Sequence, residues 1–120
     1  LDISGGLAGG RPEGAPPAYF LPLAEGIKPV VDIPVILTGG ITEAALADQI
    51  VREGKADLIA FGRGFLATPD LPERFRHGAA LNTPDPSTFY GGGAKGYTDY
   101  PTLAQSRNEV PRSCVDESWR

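Results

Sequence analysis

Two short stretches, Thr38-Gly39-Gly40 and Phe61-Gly62-Arg63-Gly64, combine residue types that hold a phosphate group. Glycine lets the backbone come within hydrogen-bond distance of an anion, and an arginine beside it adds a charge-assisted, bidentate contact. Removing such an arginine takes away about 1.5 to 3 kcal/mol per charged hydrogen bond, a change of ten-fold or more in affinity. The competing readings are structural: a Gly-Gly pair also permits tight strand-to-helix packing, and Arg63 has Asp57 and Asp70 within reach as ion-pair partners. Other reactive side chains promise less. His77 follows Arg74-Phe75-Arg76 and precedes Gly78, the setting of a helix C-terminal residue interacting with carbonyls. Ser4 has no His or acid at motif spacing, and Cys114 sits in a polar tail, so neither reads as a nucleophile.

The elements that would position these turns are legible. Pro34 to Thr38 is an uninterrupted apolar run with β-branched members, and Ala56 to Phe61 is a second. Both predict strands buried on both faces of a parallel sheet. Leu1-Asp2-Ile3-Ser4, running into Gly5-Gly6, predicts the end of a third strand. A loop is expected from Gly9 to Pro17 and a helix near 19–28, where Leu21, Leu23, Ala24 and Ile27 recur at near-helical spacing. A second helix is predicted over 43–53, capped by Thr42 and stopped by Gly54, with Leu46, Ala47, Ile50 and Val51 as its apolar stripe. Thr68-Pro69-Asp70 signals a further short helix start.

Strand ends at Ser4, Thr38 and Phe61 leave intervals of roughly two to three dozen residues, each holding one helix, which is the βα repeat of an α/β protein with right-handed crossovers. Turns after successive parallel strands face the same side, and the helix after Thr42 points its positive dipole end there. In (β/α)8 barrels a phosphate site commonly follows strands seven and eight. Tyr90 and Tyr97, in the glycine-rich stretch after Phe89, could stack on or hydrogen-bond to a planar ligand, or pack against a barrel rim.

Composition bounds the function. With Lys+Arg 11 against Asp+Glu 15 the net charge is -4, so no basic field exists to hold nucleic acid or an anionic membrane. One cysteine excludes an internal disulfide, and one Cys with one His leaves zinc only carboxylates. No run reaches the 18 or more apolar residues of a membrane span, and a cytoplasmic setting is expected. At 120 residues beginning with Leu1, the chain reads as a processed chain or a fragment.

Pro34 to Gly40, then Ala56 to Leu71 (A-D-L-I-A-F-G-R-G-F-L-A-T-P-D-L), then Thr88-Phe89-Tyr90 and Gly96-Tyr97-Thr98-Asp99-Tyr100-Pro101 together resemble the C-terminal part of an Old Yellow Enzyme-type FMN oxidoreductase. The resemblance covers about residues 1–103; residues 104–120 are expected to be a polar, poorly ordered tail. It implies about strands six to eight of a TIM (β/α)8 barrel, incomplete as a lone chain, with Leu1 to Gly6 as the sixth strand. It further implies an enzyme that binds FMN, takes hydride from NAD(P)H and passes it to the β-carbon of an α,β-unsaturated carbonyl compound. Gly39, Gly40, Gly62 and Arg63 would hold the FMN phosphate, and Phe89 and Tyr90 would lie beside the flavin ring and the substrate. The family's substrate-binding pair and proton-donating tyrosine belong to the first five strands, so another chain supplying those strands is an expected partner. The alternative expectation is a truncated, non-catalytic remnant or assembly partner without flavin.

Overall fold

In the computed structural model, residues 1–4 and 12–108 are described. They divide into two compact units, one from Leu1 to Gly62 and one beginning at Arg63. The expected Gly5-Gly6 strand ending, the start of the 9–17 loop and the tail beyond residue 108, with Cys114, lie outside the described residues.

The first unit is built on a three-stranded parallel sheet, β1 (Asp2–Ile3), β2 (Ile36–Thr38) and β3 (Leu58–Ala60), in the order β1-β2-β3. Parallel neighbours need a crossover between them, and the intervening residues supply α1 (Leu21–Ile27) and α2 (Ala44–Arg52). Register aligns Ile3 with Leu37 and Leu37 with Ile59. These three side chains share one face, where Ile3, Leu37, Ala24, Val35, Ile41, Ala47, Ile50 and Ala56 make the core and Ile59 packs against it. Full burial of a side chain such as Leu37 contributes about 1.5 to 3 kcal/mol.

The strands are shorter than the apolar runs predict, and they are not buried on both faces. Side chains alternate along a strand, and Leu58, one residue before Ile59, is 54% exposed. The buried residues of the helices cluster with one face of the sheet, while on the opposite face Leu58 is exposed and Ile36 and Ala60 are partly buried.

Helix α2 departs from expectation at its start. Glu43, in extended conformation, precedes the first turn and its carbonyl accepts from Ala47, while no side chain caps the helix. Thr42 is one residue too early to cap it. The predicted stop holds: Gly54 is left-handed at φ +70°, its N–H donates to the Val51 carbonyl, and that of Lys55 donates to the Ile50 carbonyl. Val51, expected on the apolar stripe, is exposed.

The second unit holds α3 (Arg63–Ala67), α4 (Leu71–His77) and α5 (Leu103–Asn108). Thr68-Pro69-Asp70 leads into α4 as predicted, with Pro72 in its first turn and left-handed Gly78 closing it. Helix α3 was not anticipated, because two glycines disguise it as a turn. Residues 104–108, expected in a polar tail, are helical. Thr102 and Gln105 form a reciprocal cap there: the Thr102 N–H donates to Gln105 Oε1 at 2.8 Å, and the Gln105 N–H donates to Thr102 Oγ1 at 3.3 Å.

A buried arginine organises this unit. Arg74 is 3% exposed. It donates through Nε to Asp70 Oδ1 at 2.8 Å, through Nη1 to the Ala80 carbonyl at 2.7 Å and Asn82 Oδ1 at 3.1 Å, and through Nη2 to the Pro101 carbonyl at 2.8 Å. Asn82 Nδ2 donates to the Ala67 and Pro101 carbonyls, and Asp70 Oδ2 accepts from the Leu103 N–H at 2.7 Å. A planar fork with five donors suits such a convergence, and an ammonium could not replace it.

Candidate functional site

The register Thr38 with Ala60 puts the ends of β2 and β3 on the same rung, and each strand runs directly into one of the two glycine turns. Within the first unit, Gly39-Gly40 and Gly62 therefore follow the carboxyl ends of neighbouring strands, on the same side of the sheet. Their surroundings differ.

Gly39 and Gly40 have φ of +118° and +70°, a backbone that side chains rarely adopt. Two rings occupy the space beside them. A Cβ on Gly40 would lie 2.6 Å from Tyr19 Cδ1, and one on Gly39 would lie 2.9 Å from Phe20 Cδ2. The rings are set by Ala18, itself at φ +50°, whose N–H donates to the Gly40 carbonyl at 3.2 Å. Tyr19 and Phe20 meet edge-on with centroids 4.5 Å apart. Packing thus accounts for both glycines, the structural alternative open at the level of sequence. No sequence signal marked Tyr19 as covering this turn, because the two lie far apart along the chain and meet only in the folded unit.

Gly62 is the opposite case. Its φ lies in the ordinary range, and a Cβ built on it meets nothing within 4 Å; the same holds for Gly64. Neither conformation nor packing among the described residues explains glycine at these positions. What an absent side chain provides there is room for close approach from outside.

Arg63, next in the chain, opens α3 and is exposed. Neither carboxylate offered by the sequence holds it. Asp57 pairs with Lys28 at 3.0 Å and accepts the Val35 N–H at 2.7 Å. That backbone bond first, and Lys28 second, keep the Asp57 carboxyl below its ordinary range. Asp70 is taken by Arg74. Among the described residues Arg63 makes no ion pair; its guanidinium instead lies 5.8 Å from the centroid of the Phe89 ring.

Within the second unit the turn Phe89-Tyr90 follows a 3-10 turn at Pro86–Thr88. Phe89 is partly buried, and its ring meets that of Tyr90 edge-on at 6.4 Å and 87°. Tyr90 is 90% exposed, and among the described residues its ring meets that of Phe89. Tyr97 is half-exposed and donates its hydroxyl hydrogen to the Phe89 carbonyl. His77 ends α4 as expected, but its Nε2 lies 2.8 Å from the Glu73 carboxylate rather than on main-chain carbonyls. Ser4 follows β1 and is exposed. No group of His, Cys, Asp and Glu fit to hold a metal occurs among the described residues.

The first unit is thus a parallel α/β unit with glycines directly after two of its strands, and the second carries Arg63, which makes no ion pair among the described residues, and the exposed Tyr90. The model for the NADH:flavin oxidoreductase / NADH oxidase family matches residues 14–82, more than half of the chain, and the chain belongs to that family. It is 56% identical over 64 residues to a putative 12-oxophytodienoate reductase 10 of Oryza sativa subsp. japonica, covering 52% of this chain and 20% of that protein. Over 69 residues it is 49% identical to a probable flavin mononucleotide-dependent alkene reductase of Leishmania infantum, covering 58% and 19%. Among solved structures, morphinone reductase in complex with tetrahydroNAD matches with TM-score 0.62 at 52% identity, over 67% of this chain and 22% of that one. The old yellow enzyme from Trypanosoma cruzi matches with TM-score 0.63 at 41% identity, over 68% and 21%. The chain spans about a fifth of the length of these relatives.

Proposed function

We infer that this chain is part of an FMN-dependent oxidoreductase of the ene-reductase type, contributing about strands six to eight of a (β/α)8 barrel and the groups that hold the FMN phosphate. The chemistry supplied by FMN when bound is transfer of hydride from NAD(P)H to the activated C=C of an α,β-unsaturated carbonyl compound. Family membership supports the flavin, and names such as alkene reductase and 12-oxophytodienoate reductase among the relatives support the substrate class.

One observation carries the assignment: Gly62 is open to close approach while neighbouring Arg63 is exposed and unpaired among the described residues. In this reading Gly62 and Arg63 bind phosphate oxygens through backbone N–H and guanidinium, Gly39 and Gly40 contribute from their turn, and Phe89 and Tyr90 face the flavin ring and the substrate. The upstream strands, in the same polypeptide or another, supply the groups that hold the substrate carbonyl.

A fluorescence titration of FMN into the purified 120-residue chain, with riboflavin as the phosphate-free control, tests this. FMN quenched at micromolar levels, with riboflavin binding much more weakly, is the expected outcome. Arg63→Ala weakens FMN binding about ten-fold or more, the equivalent of about 1.5 to 3 kcal/mol, and leaves riboflavin unchanged. Equal binding of FMN by Arg63→Ala and wild type overturns the role of Arg63.

The packing of Tyr19 on Gly39-Gly40 favours a second reading, a remnant whose turn serves the chain's own fold and carries no flavin. It predicts no quenching by either compound.

A further inference from the structure

The run Gly96-Tyr97-Thr98-Asp99-Tyr100-Pro101 has no task in the function above, yet it is tied to the Phe89-Tyr90 turn at several points. Tyr97 Oη donates to the Phe89 carbonyl. Gly96, left-handed at φ +77°, is pressed so closely on Thr88 that a Cβ there would overlap the threonine side chain. Thr88 is buried, and its Oγ1 donates to the Asp85 carbonyl at 2.8 Å. Tyr100 Oη accepts from the Asp85 N–H, also at 2.8 Å. Asp99 Oδ1 accepts from the Gly96 N–H at 2.7 Å, which closes the run on itself, and the Pro101 carbonyl is anchored by Arg74 and Asn82.

We propose that residues 96–101 are a clamp that presets the Phe89-Tyr90 turn for a planar heteroaromatic ring, with Tyr97 as its positioning residue. The inference rests on the reading of Phe89 and Tyr90 as ligand-facing. Its physical ground is the exposure of Tyr90: an exposed side chain on an untethered turn would lose backbone and rotamer freedom on binding, and that loss subtracts from affinity. Ties at Asp85, Thr88 and Phe89 fix the main chain beforehand, so both rings leave the turn in set directions. Tyr97 is the tie that reaches the aromatic pair itself. Being half-exposed, it makes little of the unit's core.

Because the clamp acts on the ring end of a ligand, its loss has a signature that loss of the phosphate site does not. Tyr97→Phe, which keeps the ring and removes the donor, weakens FMN and riboflavin by the same factor, roughly three- to ten-fold for one hydrogen bond. Arg63→Ala weakens FMN alone. The test combines those titrations, with riboflavin carried to higher concentration, and amide hydrogen exchange on the same 120-residue chains. In Tyr97→Phe, exchange over residues 89–93 is expected to speed about ten-fold relative to wild type, while amides of α2 and α4 keep their protection. Unchanged exchange over 89–93 overturns the clamp, and so does a loss confined to FMN. If wild type binds neither flavin, the ligand-positioning role falls with the functional reading, and exchange alone decides whether the tie exists. General loss of protection in α4 with Tyr97→Phe would make Tyr97 a stability residue and overturn its positioning role.

Discussion

Gly40 and Gly62 follow the carboxyl ends of neighbouring strands of one sheet, and the difference between them is open to measurement. At Gly40 the backbone is left-handed and Tyr19 fills the space a Cβ would take, so Gly40→Ala meets both strain and overlap. It should destabilise the chain by about 1–3 kcal/mol in urea unfolding. At Gly62 neither obstacle exists, and Gly62→Ala should leave stability within about 0.5 kcal/mol of wild type while weakening FMN binding. A large stability loss at Gly62 would mean that the chain itself uses the open space.

At the scale of elements, α4 and the segments it gathers depend on an ionised Asp70. Desolvation is the largest influence on its carboxyl and raises the pKa. The Leu103 N–H and the Arg74 guanidinium together outweigh it, and the net result lies below the ordinary 3.8. A lowered folded-state pKa contributes stability that is present above the unfolded value and is lost as pH falls through the folded one. Asp70 therefore stabilises fully at neutral pH, and its contribution is lost progressively as pH falls below about 4 and through the lowered folded-state value. Unfolding followed from pH 7 to pH 2 should show a steeper acid loss for wild type than for Asp70→Asn, which is less stable at pH 7 and flatter below it. Asp57 and Asp85 are also held low, by the Val35 N–H with Lys28 and by Ser87, so some acid sensitivity should survive in the variant. Parallel slopes for the two proteins would remove Asp70 from this account.

For the molecule as a whole, a sheet covered on one face leaves Leu58 open on the other, in a strand at the edge of the three-stranded sheet. Open apolar faces and unpaired strand edges promote association. Sedimentation velocity should show wild type associating as concentration rises and Leu58→Lys doing so less; equal behaviour would place the contact surface elsewhere. What the sequence determined by itself was local or periodic: three parallel strands with intervening helices, the glycine stop of α2 and the proline start of α4. The Thr102/Gln105 cap has a local signal, a T-x-x-Q pattern at the start of the expected polar tail, which composition alone passes over. Tertiary structure alone decided which glycines are packed and which are open, that Asp57 takes Lys28, that Arg63 meets Phe89, and that Arg74, beyond its i,i+4 partner Asp70, reaches the Pro101 carbonyl. The reason is distance along the chain. Turn and helix signals are encoded within a few residues, whereas the ring that fills the space beside a glycine, or the carbonyl that meets a guanidinium, arrives from a segment some twenty or more residues away once the sheet and helices have brought it there.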